Sequence, residues 1–274
     1  MATAIGVSVR DTVLWVEDTG ETGLPVVLCL HSLWLDRTMF DDFVKAANGK
    51  FRLIRPDFRG QGKSAPPTTK AISMETCAED IEALIDNLEL KSVNLLVQSM
   101  GGDVALRLAA RRPELFRSLV MLGSSAREEP PEQITWVHKW LDDASATGFV
   151  GESLDLLMEV MFGKTTRANP AMQPVLAHWR AKMEASPLSL WPAIIGVIER
   201  KSAVPLLPVV TTPALIFSGQ EDMPRPPAWA DEVVGGLPRA KLIRLAGIGH
   251  SPIIEAPAIV IPQILAFFDQ PHVE

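Results

Sequence analysis

The sequence predicts an α/β protein: a doubly wound, mostly parallel sheet with a helical insertion after its sixth strand. Short apolar, β-branched runs alternate with helix-spaced segments through the first half of the chain, as a parallel sheet with crossover helices requires. That rhythm lapses between Ala126 and Val204, where only helical spacing is found. It resumes at Ala214 and holds to the C-terminus. One core built from residues 1–126 and 205–274, with a helical cap over 127–204, accounts for all three observations.

Val26 to Leu30 reads as a buried strand, followed by a helix containing Met39, Phe40 and Phe43. Phe51 to Ile54 is the next strand, closed by the turn Asp57-Phe58-Arg59-Gly60-Gln61-Gly62. Cys77, Ile81, Leu84, Ile85 and Leu88 then recur at the spacing of one helix face. Ser73 is placed to cap that helix, with Glu75 in its first turn. Ser92 to Val97 is a further buried strand, Gly101 to Arg112 a helix stopped by Pro113, and Leu119 to Leu122 a strand. Within the insertion, Asn169-Pro170 opens a helix whose apolar face carries Met172, Val175, Leu176, Trp179 and Met183. Ala214 to Phe217 and Leu242 to Leu245 complete the strands, and a helix spans Ile259 to Phe268.

Composition narrows the function. The chain has 274 residues, 47% hydrophobic and 22% charged, with a net charge of -7. Its basic residues are scattered, which speaks against a nucleic-acid surface. No apolar run reaches the roughly 20 residues needed to cross a bilayer, so no membrane association is expected. Met1 to Arg10 shows no basic segment leading into an apolar one, and a cytoplasmic location is the default expectation. Cys29 and Cys77 have no metal-ligand spacing and read as two buried thiols.

Chemistry concentrates at strand ends. Leu95-Leu96-Val97-Gln98-Ser99-Met100-Gly101-Gly102 sets a serine between a buried strand and a helix, where a sharp turn lifts its hydroxyl clear of the sheet. The helix that follows points unpaired N–H groups toward whatever the serine attacks. A serine hydroxyl needs a base, and the base needs an orienting acid. His250 follows the last strand in Gly247-Ile248-Gly249-His250, and Asp222 follows the preceding one in Gly219-Gln220-Glu221-Asp222. All three therefore leave carboxyl ends of strands, where open α/β sheets bind ligands. Glu221 is adjacent to Asp222 and competes with it for the acid's role. The other possible source, Gly123-Ser124-Ser125-Ala126 after the earlier strand, offers no acid before Glu128. His138 and His178 lie in the insertion and His272 in the terminal tail, with no chemistry assigned to them. The Gly-x-Gly of the Asp57 turn is too short a pattern for nucleotide binding.

With these residues in place, nearly the whole chain resembles the α/β-hydrolase family. The resemblance rests on His31-Ser32 after the third strand, Asp57-x-Arg59-Gly60-x-Gly62-x-Ser64, the Ser99 elbow, Gly219-x-x-Asp222, and Gly249-His250 with Glu255-x-Pro257. The His-Ser-Leu opening and the place of the insertion are most similar to the enol-lactone hydrolase and esterase branch. Dehalogenases and epoxide hydrolases of this fold carry aspartate where this chain has Ser99. The resemblance implies a catalytic triad of Ser99, His250 and Asp222, and an oxyanion hole from the N–H groups of Leu33 and Met100. It also implies that His31 braces the oxyanion loop. This chain departs from the family pattern in two places: Val97 stands where a small residue is usual two before the nucleophile, and His31-Ser32 stands for His-Gly.

The reaction so implied is hydrolysis of a carboxylic ester or lactone through an acyl-enzyme, with no metal and no organic cofactor. Carbon–carbon bond hydrolysis or haloperoxidase-like peracid formation on the same triad is the alternative, and a non-catalytic ligand-binding protein of the same fold a third. Trp34, Trp136, Trp140, Met158, Trp179 and Trp191 are the expected substrate-binding residues, forming an apolar pocket roofed by the insertion.

Overall fold

The computed structural model describes residues 3–271, so His272 lies outside the described residues. Eight strands form one sheet in the order β1-β2-β4-β3-β5-β6-β7-β8. They are β1 (Thr3–Val9), β2 (Thr12–Asp18), β3 (Val26–Leu30), β4 (Arg52–Pro56), β5 (Val93–Gln98), β6 (Phe116–Leu122), β7 (Ala214–Gly219) and β8 (Ala240–Leu245). β1 and β2 are antiparallel, and β2 runs antiparallel to β4; every pair from β4 to β8 is parallel. All six residues of β5 are buried, as expected of a strand covered on both faces.

Around the sheet lie α1 (Asp41–Ala47), α2 (Met74–Asn87) and α3 (Met100–Arg111). The Ser73 side chain accepts a hydrogen bond from the Thr76 N–H at 3.0 Å and caps α2, while Cys77, Ile81, Leu84 and Ile85 turn inward. The insertion between β6 and β7 is helical: α4 (Pro131–Ala144), α5 (Gly151–Met161), α6 (Lys164–Ala168), α7 (Gln173–Glu184) and α8 (Trp191–Ile198). α9 (Pro227–Gly236), α10 (Pro252–Glu255) and α11 (Pro257–Phe268) complete the chain. α11 and α1 meet at Phe268, with Phe43 edge-on to it at 6.3 Å.

Three local expectations need correction. Asn169 caps a 3₁₀ turn over Pro170–Met172, and the α-helix begins only at Gln173, so Met172 precedes the helical face. The C-terminal helix starts at Pro257 rather than Ile259, because proline suits a first turn whose N–H groups have no intrahelical acceptor. The β1–β2 hairpin and α9 were not foreseen as elements. β1 is mostly exposed, and its turn contains Arg10 at φ 47 rather than a glycine.

The insertion leaves and rejoins the core at one place, where the Ala203 N–H donates to the Ala126 carbonyl at 2.6 Å. It is also tied down at its far side. Lys182 of α7 reaches Asp36 at 2.6 Å and Thr38 at 2.7 Å, and the Ile72 N–H donates to the Pro192 carbonyl at 2.9 Å. Gly196 of α8 lies so close to the core that a Cβ there would fall 1.7 Å from the Ile72 carbonyl oxygen. Cys29 and Cys77 are both buried and unpaired; burial pushes the Cys29 thiol up to about 12 and raises Cys77 as well. Among the described residues, no helix is long and apolar enough to cross a membrane.

Candidate active site

β5 delivers Ser99 into a turn with φ 50, immediately before α3. A non-glycine residue held there costs on the order of 1–3 kcal/mol, a strain that persists only where its surroundings enforce it. Here the Ser99 N–H donates to the Leu122 carbonyl at 3.0 Å, and its own carbonyl accepts from Gly102 at 2.8 Å. Small residues after the serine are a steric requirement. A Cβ on Gly101 would lie 2.3 Å from the Leu30 carbonyl oxygen, and one on Gly102 would lie 2.4 Å from Ser124 Oγ. The position two before the serine carries no such demand, for Val97 sits fully buried between Leu30 and Met121 of the neighbouring strands.

His250 Nε2 lies 2.8 Å from Ser99 Oγ, and His250 Nδ1 lies 3.0 and 3.1 Å from the two oxygens of Asp222. A carboxylate only accepts, so Nδ1 carries the proton and Nε2 is left to accept from the serine hydroxyl. Asp222 is held in turn by the Arg225 backbone N–H at 2.9 Å. Glycines let these loops meet. A Cβ on Gly219 would fall 2.2 Å from the Gly249 carbonyl oxygen, and one on Gly123 would fall 2.6 Å from the His250 carbonyl oxygen. The neighbouring acid, Glu221, faces the other way: its carboxylate accepts from the Thr165 N–H at 2.7 Å and the Thr165 hydroxyl at 2.5 Å.

Leu33 follows β3 and lines the same cavity as Ser99 and His250. Met100 is the first residue of α3, so its N–H has no intrahelical acceptor. The loop that carries Leu33 is braced by His31, whose Nδ1 donates to the Ser32 carbonyl at 2.8 Å while Nε2 accepts from the Phe58 N–H at 3.0 Å. Burial holds this imidazole below the usual histidine range. The Asp57 turn is structural. Its carboxylate takes hydrogen bonds from Arg37 and from the Lys63 N–H, and a Cβ on Gly62 would collide with it at 2.2 Å.

The cavity above Ser99 is small, about 60 Å³, and opens to solvent at its mouth. Trp34, Trp136 and Trp140 line it. Trp136 stacks on Trp140 at 6.0 Å with 18° between planes, and Trp34 lies 5.8 Å from Trp140. Met158, Trp179 and Trp191 are not in its wall. Met158 is buried in α5, which presents Val160 and Met161 to the cavity instead. Trp179 stands under the Lys182 ammonium at 4.8 Å, in a separate crevice between α7 and the core. Trp191 packs behind the wall, 5.4 Å from Phe149. Helical spacing shows which residues of the insertion turn inward, but not which of those face the nucleophile.

The wall also holds Glu129 and Arg225, which no sequence pattern singled out. Both are buried, in one cluster with Arg200 and Asp103. Arg200 Nη1 and Arg225 Nη1 approach Glu129 Oε1 at 2.7 and 2.5 Å, and Arg200 Nε lies 3.3 Å from Asp103. Burial opposes the charge on each. It raises the Asp103 carboxyl, and it lowers the Arg225 guanidinium together with repulsion from Arg200. For Glu129, burial is outweighed by Arg225 and Arg200, and the carboxyl is held below its ordinary value. The only hint in the sequence was that Arg225 lies three residues beyond Asp222. Among the described residues, no group of histidine, cysteine and acidic side chains is placed to hold a metal ion.

Residues 25–257 match the alpha/beta hydrolase fold family, and the chain belongs to that family. A thermophilic esterase from Thermogutta terrifontis superposes with a TM-score of 0.85 at 28% identity, over 99% of this chain and 100% of the esterase. The enol-lactonase from Burkholderia xenovorans LB400 superposes with a TM-score of 0.87 at 25% identity, over 97% of this chain and 100% of the lactonase. An uncharacterized hydrolase from Saccharomyces cerevisiae is 28% identical over 131 residues, 47% of this chain and 45% of the yeast protein. The match thus spans less than half the length of that relative, and 12% of a further curated one. These likenesses make the protein a hydrolase-fold protein with esterase and lactonase neighbours.

Proposed function

We propose that the protein is a serine hydrolase cleaving a carboxylic ester or lactone of a small to medium apolar substrate. The observation that carries this reading is the unbroken chain of hydrogen bonds from Ser99 through His250 to Asp222 at the floor of an apolar cavity. Ser99 Oγ attacks the carbonyl carbon while His250 Nε2 takes its proton, and Asp222 stabilises the imidazolium and holds its tautomer. The N–H groups of Leu33 and Met100 receive the developing oxyanion, commonly the largest single contribution to such catalysis. The tetrahedral intermediate collapses, the alkoxide leaves with the proton from His250, and the acyl group stays on Ser99. Water, deprotonated by His250, then attacks the acyl carbon, and Ser99 recovers its proton as the acid departs. Residues 127–204 act as a cap over the core of residues 1–126 and 205–274, and the partner is a small molecule.

A fluorophosphonate probe followed by peptide mass analysis tests the nucleophile: the adduct is expected on Ser99 and absent from Ser99→Ala. A panel of aryl and alkyl esters, lactones and vinylogous diketones tests the reaction. Ester or lactone turnover is expected. Turnover of the diketones alone would instead assign carbon–carbon bond hydrolysis, and no adduct at Ser99 would leave a binding protein.

A further inference from the structure

Apart from Ser32, Gln133 and the Ser99–His250 pair, the cavity wall is apolar except at one edge, where Glu129 and Arg225 sit side by side, 2% and 5% exposed. Arg225 spends Nη1 on Glu129 and on the Pro224 carbonyl, and stands over Trp229 at 5.6 Å. Its Nε is buried with no hydrogen-bond partner. Across from it, Glu129 Oε2 is buried and equally unpartnered. Buried polar atoms are almost always paired, and charged ones most strictly. An unused donor and an unused acceptor in the wall of a substrate cavity therefore call for a ligand that supplies an acceptor and a donor together.

The charge of the cluster decides what kind of ligand. Arg200 and Arg225 face three carboxylates: Glu129, Asp103 and, through the backbone contact at Arg225, Asp222. Arg107, 4.0 Å from Asp103, brings its own counter-charge in Glu75 at 2.8 Å and so leaves the balance unchanged. The cluster thus carries a surplus negative charge, and it is only neutral if Asp103 holds a proton. In neither state does it offer a positive excess for an anion.

We propose that this edge is a recognition subsite for an uncharged group that both donates and accepts, a hydroxyl or carboxamide on the substrate, and that it rejects substrates bearing a carboxylate there. The inference rests on the ester- or lactone-hydrolase reading of the same cavity and specifies its substrate class. The group accepts from Arg225 and donates to Glu129, while the rest of the substrate lies against Trp136 and Trp140.

The test is a set of methyl 3-phenylpropanoates whose ring carries hydrogen, hydroxyl, carboxamide or carboxylate at the meta or para position. In the parent protein, the best hydroxyl or carboxamide ester is expected to exceed the unsubstituted ester in kcat/KM by roughly 10- to 100-fold, as hydrogen bonds to charged groups provide. The carboxylate esters should fall below the unsubstituted one. Glu129→Gln removes the surplus negative charge and should raise the carboxylate-to-hydroxyl ratio at least tenfold. Arg225→Met should abolish the hydroxyl preference. A cluster that serves only to hold the fold would move the melting temperature and leave these ratios alone. Calorimetric binding of the same esters to Ser99→Ala reads the preference without turnover and without disturbing the cluster. Equal affinities there, or flat ratios in the parent, overturn the proposal while the hydrolase reading stands. Discriminating binding without turnover of any ester sinks the hydrolase reading and keeps the subsite.

Discussion

A single methyl group placed at Gly123 should disable the proposed triad while leaving Ser99, His250 and Asp222 unsubstituted. Gly123 has φ 48, and a Cβ there would lie 2.6 Å from the His250 carbonyl oxygen, 3.1 Å from Asp222 Oδ2 and 3.2 Å from His250 Nδ1. The first is shorter than real Cβ contacts reach and the other two are tighter than most, so in Gly123→Ala the His250 loop has to retreat by the better part of an ångström. A displacement of about 1 Å in a reacting group costs about 100-fold in rate, and a comparable loss in kcat is expected. The left-handed backbone adds about 1–2 kcal/mol of instability for alanine, or roughly 2–8 °C in melting temperature for a chain of this size. Gly148→Ala separates the two effects: its φ is +75, but nothing lies within 4 Å of the added Cβ. Steady-state hydrolysis of an activated aryl ester, with thermal unfolding of both variants, makes the comparison. Gly148→Ala should lose stability and keep its rate. If Gly123→Ala folds and retains a rate within threefold of the parent, the steric account of the triad is wrong.

Asp222→Asn should lower kcat by about 10⁴, the cost of a wrong histidine tautomer, whereas Glu221→Gln, bonded to Thr165, should change it a few-fold at most; the reverse order would move the acid by one residue. Trp136→Ala removes a ring that is 46% exposed and stacked on Trp140. It should shift chain-length preference across an ester series, since one methylene contact is worth about 1–3 kcal/mol of discrimination; an unchanged kcat/KM profile refutes this. At Asp36, burial alone would raise the carboxyl, but hydrogen bonds from Lys182 and Thr38 outweigh it and bring it to about 2. The ionised group therefore adds stability above its unfolded value of about 3.9, and that stability is lost as pH falls toward the folded value. The melting-temperature gap between the parent and Asp36→Asn should be full at neutral pH and close between about pH 4 and pH 2; a gap that stays constant over that range contradicts it.

How much of this was legible in the sequence depends on the reach of each interaction. The strand before Ser99 and the helix after it announce themselves because burial and periodicity act within a few residues. The positions of Ser99, Asp222 and His250 follow because each lies just beyond the carboxyl end of a parallel strand, and parallel strands bring those ends to one edge. The β1–β2 hairpin was obscure because β1 is mostly exposed and its turn relies on Arg10 in a left-handed conformation. The charged edge of the cavity was hidden for another reason. Arg200 lies 71 residues from Glu129 and Arg225 lies 96 from it, so no local pattern links them. For the insertion, helical spacing located apolar faces, yet Trp179 and Trp191 turn theirs toward other neighbours than the nucleophile.

The hydrogen bond between Ala203 and Ala126 makes the helical segment an exchangeable cassette. Its two ends stand side by side, so a segment of different length or sequence can be grafted between them without altering the pairing of β6 and β7, in which Val120 faces Leu215. Insertion is best tolerated where the ends of the incoming piece lie close together. A graft has to restore Arg200, which donates to the Arg127 carbonyl at 2.7 Å and locks the stem of the segment. Ser99, His250 and Asp222 all lie outside the graft, so under the proposed mechanism the reacting groups can stay constant while the roof above them is replaced wholesale.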